Sequence, residues 1–267
     1  MKRTIICLLT GILVLTFTQN VEAKGTTEQS ASTLTVGATP VPHAELLNLV
    51  KSDLAAKGIN LKVVEFTDYV QPNSALITGD LDANFFQHIP YLETNNEWAS
   101  KLISAFGVHV EPFGLYSSKF KSVNELPNGA LIAIPNDPTN GGRALLLLQS
   151  KGLITLKSSK LDVTVRDIAE NPKNFRFREL EAAQLPRSLS DVDAATINGN
   201  YALEAGFNPL KDSLIIEGAD SPYVNIVVVQ NGKAHDPKIL ALKEALLSPK
   251  VRDFIKSQYN GGVVPVF

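Results

Sequence analysis

The chain has 267 residues, 44% of them hydrophobic, with 25 basic and 27 acidic side chains and a formal charge of −2. That balance excludes a nucleic-acid surface, which needs a basic excess, and the length allows one large or two smaller packed domains. A single cysteine, Cys7, excludes a disulfide framework.

The N-terminus reads as an export signal. Lys2 and Arg3 precede an apolar run over 4–18 that is short for a membrane span, and Val21-Glu22-Ala23 offers small residues for cleavage. Residues 1–23 are expected to be a signal peptide and 24–33 a flexible leader. Cys7 lies inside the apolar run behind Ile6, a poor place for acylation. The expected product is exported, periplasmic, soluble and free of lipid.

From Leu34 onward strand and helix patterns alternate. The apolar spacing predicts strands over 34–38, 61–66 and 83–86, with helices over 43–56, 72–78 and 90–100, and extended chain over 108–116. The alternation resumes with strand 130–134, helix 140–151, strand 175–180, helix 184–189, strand 194–197 and helix 199–205. Strand 223–230 and helices 237–247 and 250–259 close the chain. This order predicts an α/β fold with parallel sheets flanked by helices. The pattern pauses near 117–128 and 217–223, which predicts two lobes, 34–117 plus 223–267 and 118–222. A ligand would sit between them, beyond the carboxyl ends of the strands.

Arg143 stands out within Asn136-Asp137-Pro138-Thr139-Asn140-Gly141-Gly142-Arg143. Pro138 with Thr139 or Asn140 signals a helix start, so Arg143 falls in or near the first turn, where the macrodipole disfavours a cation. Two readings are open. Arg143 is an exposed surface charge, or it and free backbone N–H groups converge on an anion that Gly141 and Gly142 allow to approach. The segment lacks a Walker pattern, so a carboxylate suits it better than a triphosphate.

A second dense patch is Asn84-Phe85-Phe86-Gln87-His88-Ile89-Pro90-Tyr91-Leu92. Phe85 reads as core. His88 reads either as a helix cap or as part of a site. Phe86 and His88 alternate to one side, where Tyr91 and Tyr69 could complete an apolar pocket with polar tips.

Several motifs carry a resemblance. Gly37-Ala38-Thr39-Pro40-Val41-Pro42-His43-Ala44-Glu45, the Phe-Phe-Gln-His-Ile-Pro-Tyr-Leu run, Pro135 to Asn140, Ala182 to Arg187 and Asp193 to Ala202 resemble the NlpA-type family. These are methionine-binding lipoproteins of bacterial methionine ABC importers. The resemblance covers 34–267 and implies a two-lobed periplasmic-binding-protein fold (type II), with L-methionine enclosed between the lobes. It also implies a monomer that delivers its ligand to a membrane permease and ATPase, with no cofactor. By position, Arg143 resembles the residue that takes the ligand carboxylate, and Asn140 shapes its loop. Asn198 and Asn225 resemble the amides that hold the amino and carboxylate groups. Tyr69, Phe86, His88 and Tyr91 resemble the lining of the side-chain pocket. There are two departures: no lipobox cysteine at the cleavage site, and Gly141 where the family has an acidic residue.

Other classes find little support. There is no G-x-S-x-G and no mature cysteine, so an enzyme is not expected. His43, His88, His109 and His235 show no metal-ligand spacing, which argues against zinc. The nearer alternative is the same role with another ligand, such as a methionine-containing dipeptide or another small apolar amino acid.

Overall fold

A computed structural model describes residues 32–218 and 221–267, which fall within one compact unit. The expected signal peptide, most of the leader and Cys7 lie outside the described residues. Two sheets organise the rest. In the first, Ser32–Ala38 pairs in parallel with Ile59–Glu65 on one side and Ala83–His88 on the other. Val224–Gln230, Leu102–Val110 and Val264–Pro265 follow to complete six strands. In the second, Ala194–Ile197, Leu131–Pro135 and Arg176–Leu180 run parallel, Gly114–Tyr116 lies beside Ala194–Ile197, and Ile215–Ile216 pairs with the outer side of Gly114–Tyr116.

The sheets are therefore mixed and not purely parallel as expected. In each, the strand that arrives from the other sheet runs against its neighbours: Val224–Gln230 in the first, Gly114–Tyr116 in the second. A strand entering from another sheet needs no crossover helix, so the physical reason for parallel pairing is absent there. Gly114–Tyr116, expected with the first lobe, hydrogen-bonds into the second sheet.

Helices pack apolar faces on each sheet. Leu46, Leu47 and Leu54 meet Leu34, Val36 and Phe85 in the first core, so Phe85 is a core residue. Leu145 and Leu148 meet Ile132 and Ile134 in the second. Two expected helices are broken. The one over 43–56 divides at Val50 into Glu45–Leu49 and Lys51–Ala55, and the one over 90–100 divides into Ile89–Glu93 and Asn96–Lys101. Asn95 causes the second break, since its side chain accepts from the Glu97 and Trp98 N–H groups and starts a new helix.

Candidate functional site

The strands Ala83–His88, Leu131–Pro135 and Ala194–Ile197 end facing the space between the sheets, where His88, the Asp137–Asn140 turn and Asn198 follow. One cavity there is lined by Tyr69, Phe86, His88, Tyr91, Asn140, Arg143, Asn198 and Asn225, all the residues nominated from the sequence. Gln87, Glu111, Gly199 and Asn200 also line it and were missed. Its volume is about 20 Å³, room for one water and not for an amino acid, so a larger guest needs the walls to part.

Arg143 does not sit as the sequence suggested. Asp137 is the cap of helix Pro138–Ser150: its carboxylate accepts from the Asn140 N–H at 2.9 Å, with Pro138 in the first turn. Arg143 thus lies in the second turn, where the dipole is weak. The start of this helix is not an open cradle of N–H groups, and the two glycines face protein. A Cβ on Gly142 would come within 2.1 Å of the Leu161 carbonyl, and one on Gly141 within 2.8 Å of that of Pro135. Both are small because backbone crosses them.

The Arg143 side chain is 4% exposed and already partnered. Nε and Nη2 donate to the Glu217 carboxylate at 2.9 and 2.5 Å, and Nη2 donates to the Glu111 carbonyl at 3.1 Å. The guanidinium lies 4.1 Å from the Tyr223 ring centroid and 4.9 Å from that of Phe113. Glu111 and Phe113 belong to the outgoing connection between the sheets, and Glu217 and Tyr223 to the returning one. Arg143 therefore ties both connections to the second sheet. Among the described residues its Nη1 has no hydrogen-bond partner.

The amides form a linked set. Asn140 Nδ2 donates to both Asp137 oxygens at 3.0 Å, and its Oδ1 accepts from Asn198 Nδ2 at 2.9 Å. Asn198 Oδ1 and Asn200 Nδ2 are buried without partners among the described residues. Orphaned polar atoms on a cavity wall are costly unless something else satisfies them. Asn225 lies in register between His88 and His109 on the flanking strands, and its Oδ1 is 3.0 Å from His43 Nε2.

The opposite wall is aromatic. Tyr69 lies 5.8 Å from both Phe86 and Tyr91 and 5.0 Å from Tyr201, centroid to centroid. The Tyr69 hydroxyl donates to Asn200 Oδ1 at 2.6 Å, and the Tyr201 hydroxyl donates to the Thr67 carbonyl at 3.0 Å. Both bonds link the segment after Ile59–Glu65 of the first sheet to the one after Ala194–Ile197 of the second. His88 is a helix cap, with Nδ1 accepting from the Tyr91 N–H at 3.1 Å at the start of helix Ile89–Glu93, and its ring also lies on the cavity wall. Burial, with the Arg143 charge nearby, lowers its pKa to about 3, so it is neutral. It meets Tyr223 edge to face, 4.9 Å between centroids, and Tyr223 also covers Arg143, so it borders the charged end as well as the rings.

Beneath Asn225 lies a trio that no sequence spacing disclosed. His43, His109 and Glu111 are all buried, and both Nε2 atoms face Glu111 Oε1, at 3.3 and 2.8 Å. His43 comes from the short helical segment Pro40–Ala44, His109 from a strand end and Glu111 from the connection, so only the fold unites them. Burial lowers the two histidine pKa values to about 4 and about 3 and raises that of Glu111.

The family model "NlpA lipoprotein" matches residues 34–267. The methionine-binding lipoprotein MetQ of Bacillus subtilis is 41% identical over 97% of this chain and 98% of its own length. The membrane lipoprotein TpN32 of Treponema pallidum is 42% identical over 89% of this chain and 90% of its own. A nutrient-binding protein of Burkholderia cenocepacia, solved bound to methionine, superposes with a TM-score of 0.84 at 48% identity, covering 88% of this chain and all of that one. The chain belongs to the NlpA lipoprotein family.

Proposed function

We propose that this protein is the substrate-binding component of an ABC importer and that its ligand is methionine, held in the cavity between the sheets. The observation that carries this is one cavity with two unlike ends. Among the described residues, the Arg143 end has a guanidinium nitrogen (Nη1), an amide donor (Asn200 Nδ2) and an amide acceptor (Asn198 Oδ1) without partners. The other end has the faces of Tyr69, Phe86 and Tyr91. An α-amino acid with an apolar, polarizable side chain matches both. The names of the relatives MetQ and the methionine-bound Burkholderia protein support the same ligand. In this reading Arg143 takes the carboxylate, Asn198 and Asn225 flank the charged end, and Asn140 positions Asn198. The protein is a binding protein and not an enzyme.

Calorimetry on protein stripped of ligand by unfolding and refolding tests this. Methionine should give a saturable heat at a one-to-one ratio. No heat with methionine, beside clear heat with another amino acid, would sink the assignment. A second reading, a methionine-containing dipeptide, draws on an open groove of about 1080 Å³ on the outer side of Tyr69 and Tyr91, where a longer ligand could extend.

The lobes are assigned to the two sheets. The chain crosses between Val110 and Gly114, earlier than residue 117, and returns between Ile216 and Val224. The partner is a membrane permease with its ATPase, and the protein works as a monomer. No helix among the described residues is long and apolar enough to cross a membrane. The relatives are named lipoproteins, yet Cys7 sits in the apolar run behind Ile6, so the reading favours cleavage near Ala23 without acylation. The mass of the mature N-terminal peptide decides between the two.

A further inference from the structure

Glu111 lines the cavity, is 5% exposed, and has no Lys or Arg side chain paired with it among the described residues. The guanidinium near it is already engaged by Glu217. A buried carboxylate facing a cavity without a cation is unfavourable, and a protein that retains one usually supplies a cation from elsewhere. The two imidazoles do not supply it, because both are buried deeply enough to stay neutral.

The hydrogen bonds fix what those imidazoles do. The Thr39 hydroxyl lies 2.7 Å from His43 Nδ1 and can donate to it, which leaves the His43 proton on Nε2. That N–H is shared between Glu111 Oε1 at 3.3 Å and Asn225 Oδ1 at 3.0 Å. His109 Nδ1 is buried and has no partner among the described residues. An orphaned acceptor nitrogen there is less costly than an orphaned N–H, so its proton also belongs on Nε2, facing Glu111 at 2.8 Å. Two neutral donors thus hold one carboxylate oxygen in place without cancelling its charge. The same arrangement disfavours a divalent metal, which would take the Nε2 lone pairs and force a buried, unaccepted N–H at His109 Nδ1.

We propose that Glu111, held by His43 and His109, is the counter-ion of the ligand's α-ammonium group. The ammonium's remaining protons meet acceptors on the same wall, Asn198 Oδ1, which has no partner among the described residues, and Asn225 Oδ1. Burial raises the Glu111 carboxyl pKa, and an ammonium beside it restores the charged form. Gly199 makes room for Glu111 on this wall: a Cβ there would lie 2.6 Å from that of Glu111. This inference rests on the amino-acid reading above and adds the group that selects zwitterions over plain acids.

Calorimetry with L-methionine and with its desamino analogue, 4-(methylsulfanyl)butanoic acid, tests it on the wild type and on Glu111→Gln. The wild type should prefer methionine by about 30-fold or more, the ratio expected from one desolvated charge pair. Glu111→Gln should lose that preference by weakening methionine while leaving the analogue within a few-fold. Equal wild-type affinity for the two compounds overturns the inference without any variant, and so does an undiminished preference in Glu111→Gln. A wild type that binds neither compound defeats the amino-acid reading and this inference together. Tight zinc binding by the wild type, lost in Glu111→Gln, would assign the trio to a metal and overturn the proposal.

Discussion

The two ends of the cavity are built differently. At the aromatic end, Tyr69, Phe86 and Tyr91 touch mainly through ring faces and edges, and two of the three come from one short run of sequence. At the charged end, Arg143, Glu111, Asn140, Asn198 and Asn225 each bond to a group distant in sequence. Shape recognition tolerates change gradually, since apolar contacts are many and individually weak. A buried polar network fails in steps, because each lost partner strands another polar group. Substitutions at the charged end should therefore affect the fold and the ligand together, and changes at the aromatic end the ligand alone.

The sharpest way to break that contrast is Arg143→Ala. It leaves Glu217 without its guanidinium and unties the two connections, so stability should fall by about 3–5 kcal/mol, the usual result of removing one member of a buried pair. Methionine binding should weaken by about 2–5 kcal/mol in whatever fraction stays folded. Urea unfolding and calorimetry read the two separately. A variant as stable as the wild type would show that Arg143 is not the tie between the connections.

Acid should act next most strongly, and at the charged end. His43, His88 and His109 have folded-state pKa values of about 4, 3 and 3, below the ordinary 6.5. As pH falls the unfolded chain takes up protons first, so stability is full above about 6.5 and is lost on the way down towards 3. The loss should approach about 1 kcal/mol per histidine for the first pH unit below 6.5. Glu111 opposes it: its raised pKa makes the folded chain protonate before the unfolded one as pH drops towards 4.5. Urea midpoints between about pH 7.5 and pH 5.5 check the sign, and a midpoint that rises on acidification would contradict it.

At the aromatic end the ligand is the better probe. Alanine lacks several methylene-sized groups at about 0.8 kcal/mol each, and should bind at least about 2 kcal/mol more weakly than methionine. Norleucine, which exchanges sulfur for a methylene, should lose only about 1–2 kcal/mol, the scale of sulfur–aromatic contacts. Competition binding ranks the three, and alanine competing as well as methionine would make the rings core packing. Tyr69→Phe should have the smallest effect. It removes one hydroxyl bond between the lobes, worth about 0.5–1.5 kcal/mol, and should appear in ligand affinity before stability.

The same contrast explains what the sequence disclosed. Phe86, His88 and Tyr91 were legible because strand alternation and a helix-starting proline place them within one short run. The eight nominated residues do line one cavity, but the nominations at Asn140, Asn198 and Asn225 come through a family resemblance and not through spacing, whereas Arg143 stands out in its own segment. The reasoning about Arg143 itself was mistaken. It places the cation in or near the first turn and, in one of its two readings, leaves the glycines open to a ligand, whereas Asp137 caps the helix and backbone carbonyls cover both glycines. Glu217, Asn200 and the His43–His109–Glu111 trio could not be read at all, since their contacts span long stretches of chain and two sheets. The mixed sheets were missed because the returning strand carries the same apolar signature in either direction.

A crystal structure of the protein with L-methionine tests the central claim most directly. The expected result places the ligand carboxylate within hydrogen-bond distance of Arg143 and the thioether among Tyr69, Phe86 and Tyr91, with the lobes closed over it. Methionine lying in the outer groove, or with its charged end towards the rings, would contradict it.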